Sequence, residues 1–189
     1  MAEARRKPRA DALRNRRRLV EAAKEVLGRG GPEASLEAVA RAAGVGIGTL
    51  YRNFPTREAL FQAVYRHEVE QLIALAGDLD SGDRVADLRA WTHALIGLVA
   101  TKRGLLGALA VVPTDASRAM YDESQVQMKA AVGGLISAGI ADGALRADAE
   151  VEDLLSTIYG LCHASPPEPG WEARVLRLID IFIDGLRAR

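Results

Sequence analysis

Cysteine, aromatic side chains and long apolar runs are all scarce in this chain, and each scarcity excludes something. One cysteine, Cys162, in 189 residues rules out an internal disulfide framework and any multi-cysteine zinc or iron–sulfur site. Aromatics at 5%, beside abundant Ala, Leu, Gly and Arg, favour helix over strand. The longest stretches without a charge, 130–141 and 154–167, are shorter than the roughly 18 residues that a membrane helix needs. No membrane partner is expected. The basic N-terminus MAEARRKPRADALRNRRR has no apolar segment behind it, so it does not read as a secretory signal, and the cytoplasm is the expected compartment. No nucleophile–base pair and no ligand-spaced cluster is visible. His67, His93 and His163 lie far apart with no ligand-spaced partners. No catalytic residue, metal or cofactor is therefore expected.

What is present is globular: 49% hydrophobic and 26% charged residues. The net charge of zero hides an asymmetry. Residues 1–66 carry 14 basic and 7 acidic side chains, and residues 67–189 carry 11 and 18. A basic end joined to an acidic remainder points to a nucleic-acid-binding segment attached to something else.

Apolar spacing predicts an all-α chain of about nine helices, at 10–28, 36–43, 47–53, 57–75, 85–101, 102–112, 116–141, 149–163 and 171–186. Leu13 and Leu19 belong to the apolar side of the first. Gly30, Gly31 and Pro32 follow it. Asp148 is the expected N-cap of the eighth helix, and Pro113 and the SPPEPG loop are stops. The best boundary is the polar stretch AGDLDSGD at 76–83. The expected division is an N-terminal domain at 10–56, a single helix at 57–75 and a second domain at 84–189.

The informative stretch is SLEAVARAAGVGIGTLYRNF, residues 35–54. Ser35 is an N-cap. Ala40 is small enough for a second helix to cross closely. Gly44 can take the left-handed conformation that a tight turn demands, and Leu50 supplies core between the two helices. Such a helix–turn–helix leaves the outer face free for a major groove. Thr49, Tyr51, Arg52 and Asn53 can all donate to phosphates or base edges. Arg57 begins the next helix, where its guanidinium can face a phosphate. Arg17 and Arg18, with Arg14 and Arg16, form a basic run on the first helix, and Arg41 points out of the supporting helix.

These residues resemble the TetR family of bacterial transcriptional regulators. The resemblance rests on Ala43-Gly44-Val45, Thr49-Leu50-Tyr51, Phe54-Pro55 and Arg57, and on the helix before them. It implies a three-helix DNA-binding domain joined through a fourth helix to a helical effector-binding and dimerisation domain. It also implies that the last two helices pair across a homodimer. Two positions depart from the family pattern. Gly46 stands where a Ser cap is common, and Ile47 where a basic residue is common. Ile47 then offers an apolar contact, such as one to a thymine methyl. Gly48 permits close approach to the duplex.

The second half is expected to hold a small-molecule effector between the helices 85–101, 116–141 and 149–163. The expected lining is Trp91, His93, Tyr121, Gln125, Met128, Tyr159 and His163, since each helix carries a polar residue within its apolar stripe. The dimer contact is expected at Leu154, Ile158, Val175, Leu178 and Phe182, because both terminal helices carry broad apolar stripes. The resulting reading is a ligand-responsive repressor binding a palindromic double-stranded operator as a homodimer. The rivals are an architectural DNA-binder without an effector, and a small helical enzyme.

Overall fold

The computed structural model describes residues 6–28, 34–110, 114–166 and 168–188. Eight helices run through them: α1 (Arg6–Gly28), α2 (Leu36–Ala42), α3 (Ile47–Asn53), α4 (Arg57–Asp78), α5 (Arg84–Leu109), α6 (Asp115–Ala141), α7 (Val151–Ala164) and α8 (Trp171–Gly185). The only β pairing among them is an isolated bridge between Leu145 and Arg187. The helices expected at 85–101 and 102–112 are one continuous helix, so nine become eight. Lys102 and Arg103 look like the charged end of a helix in sequence. Instead the Lys102 ammonium lies 5.6 Å from the Tyr65 ring centroid, and burial lowers its pKa. Gly30, Gly31, Pro32, Pro113 and Pro167 of the expected breaks lie outside the described residues.

The chain forms two compact units. The first comprises Met1–His67 with Ala100–Thr114, the second Glu68–Val99 with Asp115–Arg189. Both α4 and α5 therefore contribute to each unit.

In the first unit, Leu19, Ala23 and Leu27 of α1, Val39 of α2, Leu50 of α3 and Leu60, Phe61 and Val64 of α4 are fully buried. Each large side chain removed from water contributes about 1.5–3 kcal/mol. Leu13 was expected on this buried side but is 69% exposed. The helical period runs on beyond the part of α1 that other helices cover. At the other end of α1 the backbone makes a close approach. A Cβ at Gly104 would stand 1.9 Å from the Gly28 carbonyl oxygen, so α5 can lie against α1 only because residue 104 has no side chain.

In the second unit, Trp91 and Leu95 of α5, Val132 of α6, Leu154 and Ile158 of α7 and Val175, Ile179 and Ile183 of α8 are fully buried. The spacing of 175, 179 and 183 is the helical four-residue repeat. The Asp83 carboxylate accepts from the Val85 and Ala86 amides at 3.0 Å and caps α5. Asp148 does not cap α7 as expected. That helix begins at Val151, with Glu150 at its N-cap, because the Asp148 carboxylate is taken by Arg146, whose Nη2 donates to Oδ2 at 2.6 Å. The chain end returns to this loop: the Arg146 amide donates to the Leu186 carbonyl at 2.9 Å and the Ala188 amide to the Ala144 carbonyl at 3.1 Å.

Candidate nucleic-acid interface

The turn between α2 and α3 is built from residues that have few alternatives. The Ser35 hydroxyl accepts from the Ala38 amide at 3.1 Å and starts α2. Ala40 is buried. At the far end the Gly44 amide donates to the Arg41 carbonyl and the Val45 amide to the Ala40 carbonyl, both at 3.0 Å. This is the Schellman closure, which needs a left-handed residue just past the cap. Gly44 supplies it with φ +65.

α3 has seven residues and one buried one, Leu50. Leu50 turns the helix so that the opposite side faces outward. Ile47 is 38% exposed and Tyr51 48%; a Tyr51 folded into the core is thereby excluded. Gly46, Gly48 and Arg52 are exposed, and Thr49 and Asn53 half-buried. A Cβ at Gly46 or Gly48 would meet nothing within 4 Å, so both lie against open space. Gly46 caps α3 without a side-chain bond. The polar groups are tied together along the helix. Arg52 donates to the Thr49 hydroxyl at 3.0 Å, and Asn53 Nδ2 to the Thr49 carbonyl at 2.8 Å. Their free donors are aimed by these bonds rather than left to wander.

Arg17, Arg18, Arg41 and Arg57 are exposed cations of the same unit. Arg57 is not wholly free, since its Nη1 donates to the Leu109 carbonyl at 3.3 Å. Thr56 caps α4 through the Ala59 amide at 3.0 Å. Arg16, which in sequence is one more member of the basic run, donates to the Asn53 carbonyl at 3.0 Å. Nothing local in the sequence signals a bond across 37 positions.

The second unit rearranges the other expectations. Trp91 is fully buried and its indole N–H donates to the Leu72 carbonyl at 3.0 Å; it is core, not cavity lining. His93 pairs with Asp180 of α8 at 2.8 Å, alongside Arg89, which reaches Asp180 at 2.7 Å and Asp184 at 2.6 Å. His93 is thus committed to α8 and not to α6 and α7. Burial raises the Asp180 carboxyl, but the His93 and Arg89 hydrogen bonds outweigh it and hold the pKa below its ordinary value. Met128 is buried, Tyr121 half-buried, and Gln125 and His163 exposed. Of the seven expected lining residues, Gln125 and Tyr159 are brought together. Burial pushes the Tyr159 phenol upward, against the opposing pull of Gln125. The buried Tyr159 hydroxyl meets no partner at hydrogen-bonding geometry among the described residues.

The expected dimer contacts also divide. Leu154, Ile158 and Val175 are fully buried within the chain and cannot meet a second copy. An apolar stripe marks a buried face without saying whose core it enters. Leu178 is 39% and Ile181 65% exposed, and Phe182 half-buried. Ile181, three residues past Leu178, shares its side of α8, a relation that helical spacing carries.

Two helices joined by a left-handed glycine turn, the second short and facing outward amid arginines, define a helix–turn–helix protein. Residues 19–64 match the bacterial regulatory proteins of the TetR family. Residues 85–188, more than half of the chain, match the C-terminal domain of SbtR-like transcriptional regulators. A TetR transcriptional regulator from Streptomyces coelicolor is 38% identical with a TM-score of 0.73, over 92% of this chain and 98% of that one. A TetR regulatory protein from Mycobacterium vanbaalenii is 31% identical with a TM-score of 0.71, over 95% and 99%. A transcriptional regulator from Cytophaga hutchinsonii shares the fold at 17% identity and a TM-score of 0.60, over 90% and 97%. No curated protein of assigned function matches. The chain belongs to the TetR family of bacterial transcriptional regulators. Among the described residues no helix is long and apolar enough to cross a membrane.

Proposed function

We propose that the protein is a ligand-responsive repressor that binds a palindromic operator as a homodimer in the cytoplasm. The observation that carries the DNA reading is the presentation of α3: Leu50 is buried while Ile47 and Tyr51 stand exposed among Arg17, Arg18, Arg41, Arg52 and Arg57. Residues 10–56 are the reading domain and 57–75 the connector; of the expected second domain at 84–189, residues 100–114 belong to the first unit, and the effector and dimer functions fall to 84–99 and 115–189. Ile47 and Tyr51 offer apolar contact to thymine methyls, Gly48 lets the duplex come close, and Thr49, Arg52 and Asn53 offer donors. Arg17, Arg18, Arg41 and Arg57 contact phosphates.

The dimer contact is the outward side of α8, Leu178, Ile181 and Phe182. An isologous contact covers these apolar groups in both copies at once. The effector is a small, largely apolar molecule carrying a hydrogen-bonding group, held near Tyr159 and Gln125. A buried hydroxyl without a partner costs about 1–3 kcal/mol, which a ligand group can recover. Both α4 and α5 run through the two units, so a change in one unit has a covalent route to the other.

The test is in vitro selection with the full-length protein on a random duplex library. A palindromic duplex should be enriched, and log affinity should fall with log salt by about 0.9 per phosphate contacted. Enrichment of no duplex would overturn the reading.

A further inference from the structure

The basic run on α1 looks uniform in sequence, but the structure divides it. Arg17 is exposed. Arg16, its neighbour, turns to the end of α3. Its Nη1 donates to the Asn53 carbonyl at 3.0 Å, and its guanidinium carbon lies 4.3 Å from the centroid of the Phe54 ring. Asn53 is the last residue of α3, and Phe54, fully buried, is its C-cap. The final carbonyls of a helix have no donors of their own, and a cation there also meets the negative end of the helix dipole. A guanidinium over an aromatic face adds cation–π attraction. One side chain therefore holds both the last carbonyl of the helix and the residue that ends it.

Arg18 covers the opposite end of the motif. A Cβ at Gly44 would stand 2.6 Å from its Nη2, so its guanidinium lies over the turn that leads into α3. The two arginines, two positions apart on one helix, bracket α3 at its entry and its exit.

This matters because α3 holds itself poorly. Seven residues are too few for a stable isolated helix. It has no side-chain cap at its start, and Leu50 alone is buried. The direction in which Ile47, Tyr51 and Arg52 point is set by whatever grips the two ends.

We infer that Arg16 is a positioning residue for sequence reading: it clamps the C-terminal end of α3 to α1 and fixes the pose of the reading face, and it is not a phosphate contact. Its effect on DNA rests on the function proposed above, whereas the clamp itself is a property of the free protein. Loss of the clamp lets α3 fray from Phe54 inward. The protein then keeps its general attraction for DNA, which Arg17 and the other cations supply, and loses discrimination between sequences.

The experiment uses full-length Arg16→Met and Arg16→Lys variants with two readouts. The first is amide hydrogen exchange in the free protein. Arg16→Met should speed exchange of the α3 amides about tenfold while the thermal midpoint stays close to wild type. The second is affinity for the duplex selected by the wild-type protein and for a scrambled duplex of the same composition. The preference for the selected duplex should fall about tenfold, with the scrambled affinity and the salt slope unchanged. Arg16→Lys keeps the charge but not the planar fork, and should recover only part of both effects. A salt slope reduced by about one in Arg16→Met and fully restored in Arg16→Lys would overturn the inference and make Arg16 a phosphate contact. Wild-type exchange and wild-type preference in both variants would overturn it as well. Should Arg16→Met not fold, the same two readouts on Arg16→Lys decide the matter. Should the wild-type protein select no duplex, the DNA reading fails, and the exchange measurement still decides the clamp.

Discussion

α3 and α8 both turn apolar side chains outward, and the difference between them lies in what surrounds those side chains. On α3, Ile47 and Tyr51 are exposed beside Arg52, in a unit whose other exposed cations include Arg14, Arg16, Arg17, Arg18, Arg41, Arg57 and Arg66. On α8, Leu178 and Ile181 are exposed over a buried row of Val175, Ile179 and Ile183, beside exposed charges of both signs, Arg174 and Arg177 with Glu172 and Asp184. Apolar groups amid cations suit a polyanion that also carries methyl groups. Apolar groups on a helix with a complete inner stripe suit a second apolar surface. The supports differ in the same way. α3 has one buried side chain of its own, Leu50, and is gripped from outside by Arg16 and Arg18 of α1. α8 is held by its own buried row and by Asp180 and Asp184 against Arg89.

The strongest way to break this comparison is to put charge on α8. Leu178→Asp with Ile181→Asp should give monomers in sedimentation, with the monomer still folded because both side chains are solvent-facing within one chain. Two linked half-sites bind 10²–10⁴-fold more tightly than one, so operator affinity should fall about a hundredfold or more. A variant that stays dimeric would move the interface elsewhere and remove the contrast.

A second intervention sharpens the α3 side. Gly104→Ala would place a carbon 1.9 Å from the Gly28 carbonyl oxygen, and backbone must move to admit it. The expected cost is about 3 kcal/mol in chemical denaturation. Gly48→Ala, with open space around it, should leave folding almost untouched and serves as the control. Equal effects at the two positions would mean that α5 does not rest on α1.

These positions also mark how far the sequence was legible. Ser35, Ala40, Gly44 and Leu50 could be assigned because each acts on neighbours within a few residues: a cap, a crossing, a turn, a plug. The family resemblance to residues 38–61 rests on the same local logic. Periodicity located every helix of the second unit, but it did not separate the centre of a stripe from its edge. Leu154, Ile158 and Val175 are centres, and Leu178 is an edge. The pairing of His93 with Asp180 spans 87 positions, and that of Arg16 with Asn53 spans 37. Both are made by packing that no local pattern encodes. The continuity of α5 through Lys102 was hidden because a lysine signals solvent until an aromatic face such as Tyr65 is placed beneath it.

A smaller effect is expected at Ser35, which supports α3 through α2. Ser35→Ala removes the acceptor for the Ala38 amide and should cost about 1 kcal/mol of stability. Thermal melts with and without bound duplex separate the contributions. The loss should be present in both, because the cap serves the fold and not the contact. A loss seen only with DNA would assign Ser35 to the interface.

The smallest expected effect tests the support of α8. Asp180 faces Arg89 and His93 from α5, with Asp184 one turn further along its own helix. Burial raises its pKa, and the His93 and Arg89 hydrogen bonds lower it to below the ordinary 3.8. A group whose folded pKa is depressed contributes stability above its unfolded value and loses it as pH falls through the folded value. Asp180→Asn should therefore lower the thermal midpoint slightly at neutral pH, by little because the pair is partly exposed and screened. The gap to wild type should narrow as pH falls below 3.8 and close once the wild-type carboxyl is protonated. Raising the salt at neutral pH should narrow it too. A gap that is constant with pH would mean that the carboxylate charge contributes nothing. α8 would then rest on Val175, Ile179 and Ile183 alone, and the ion pairs would be a consequence of its position rather than a support for it.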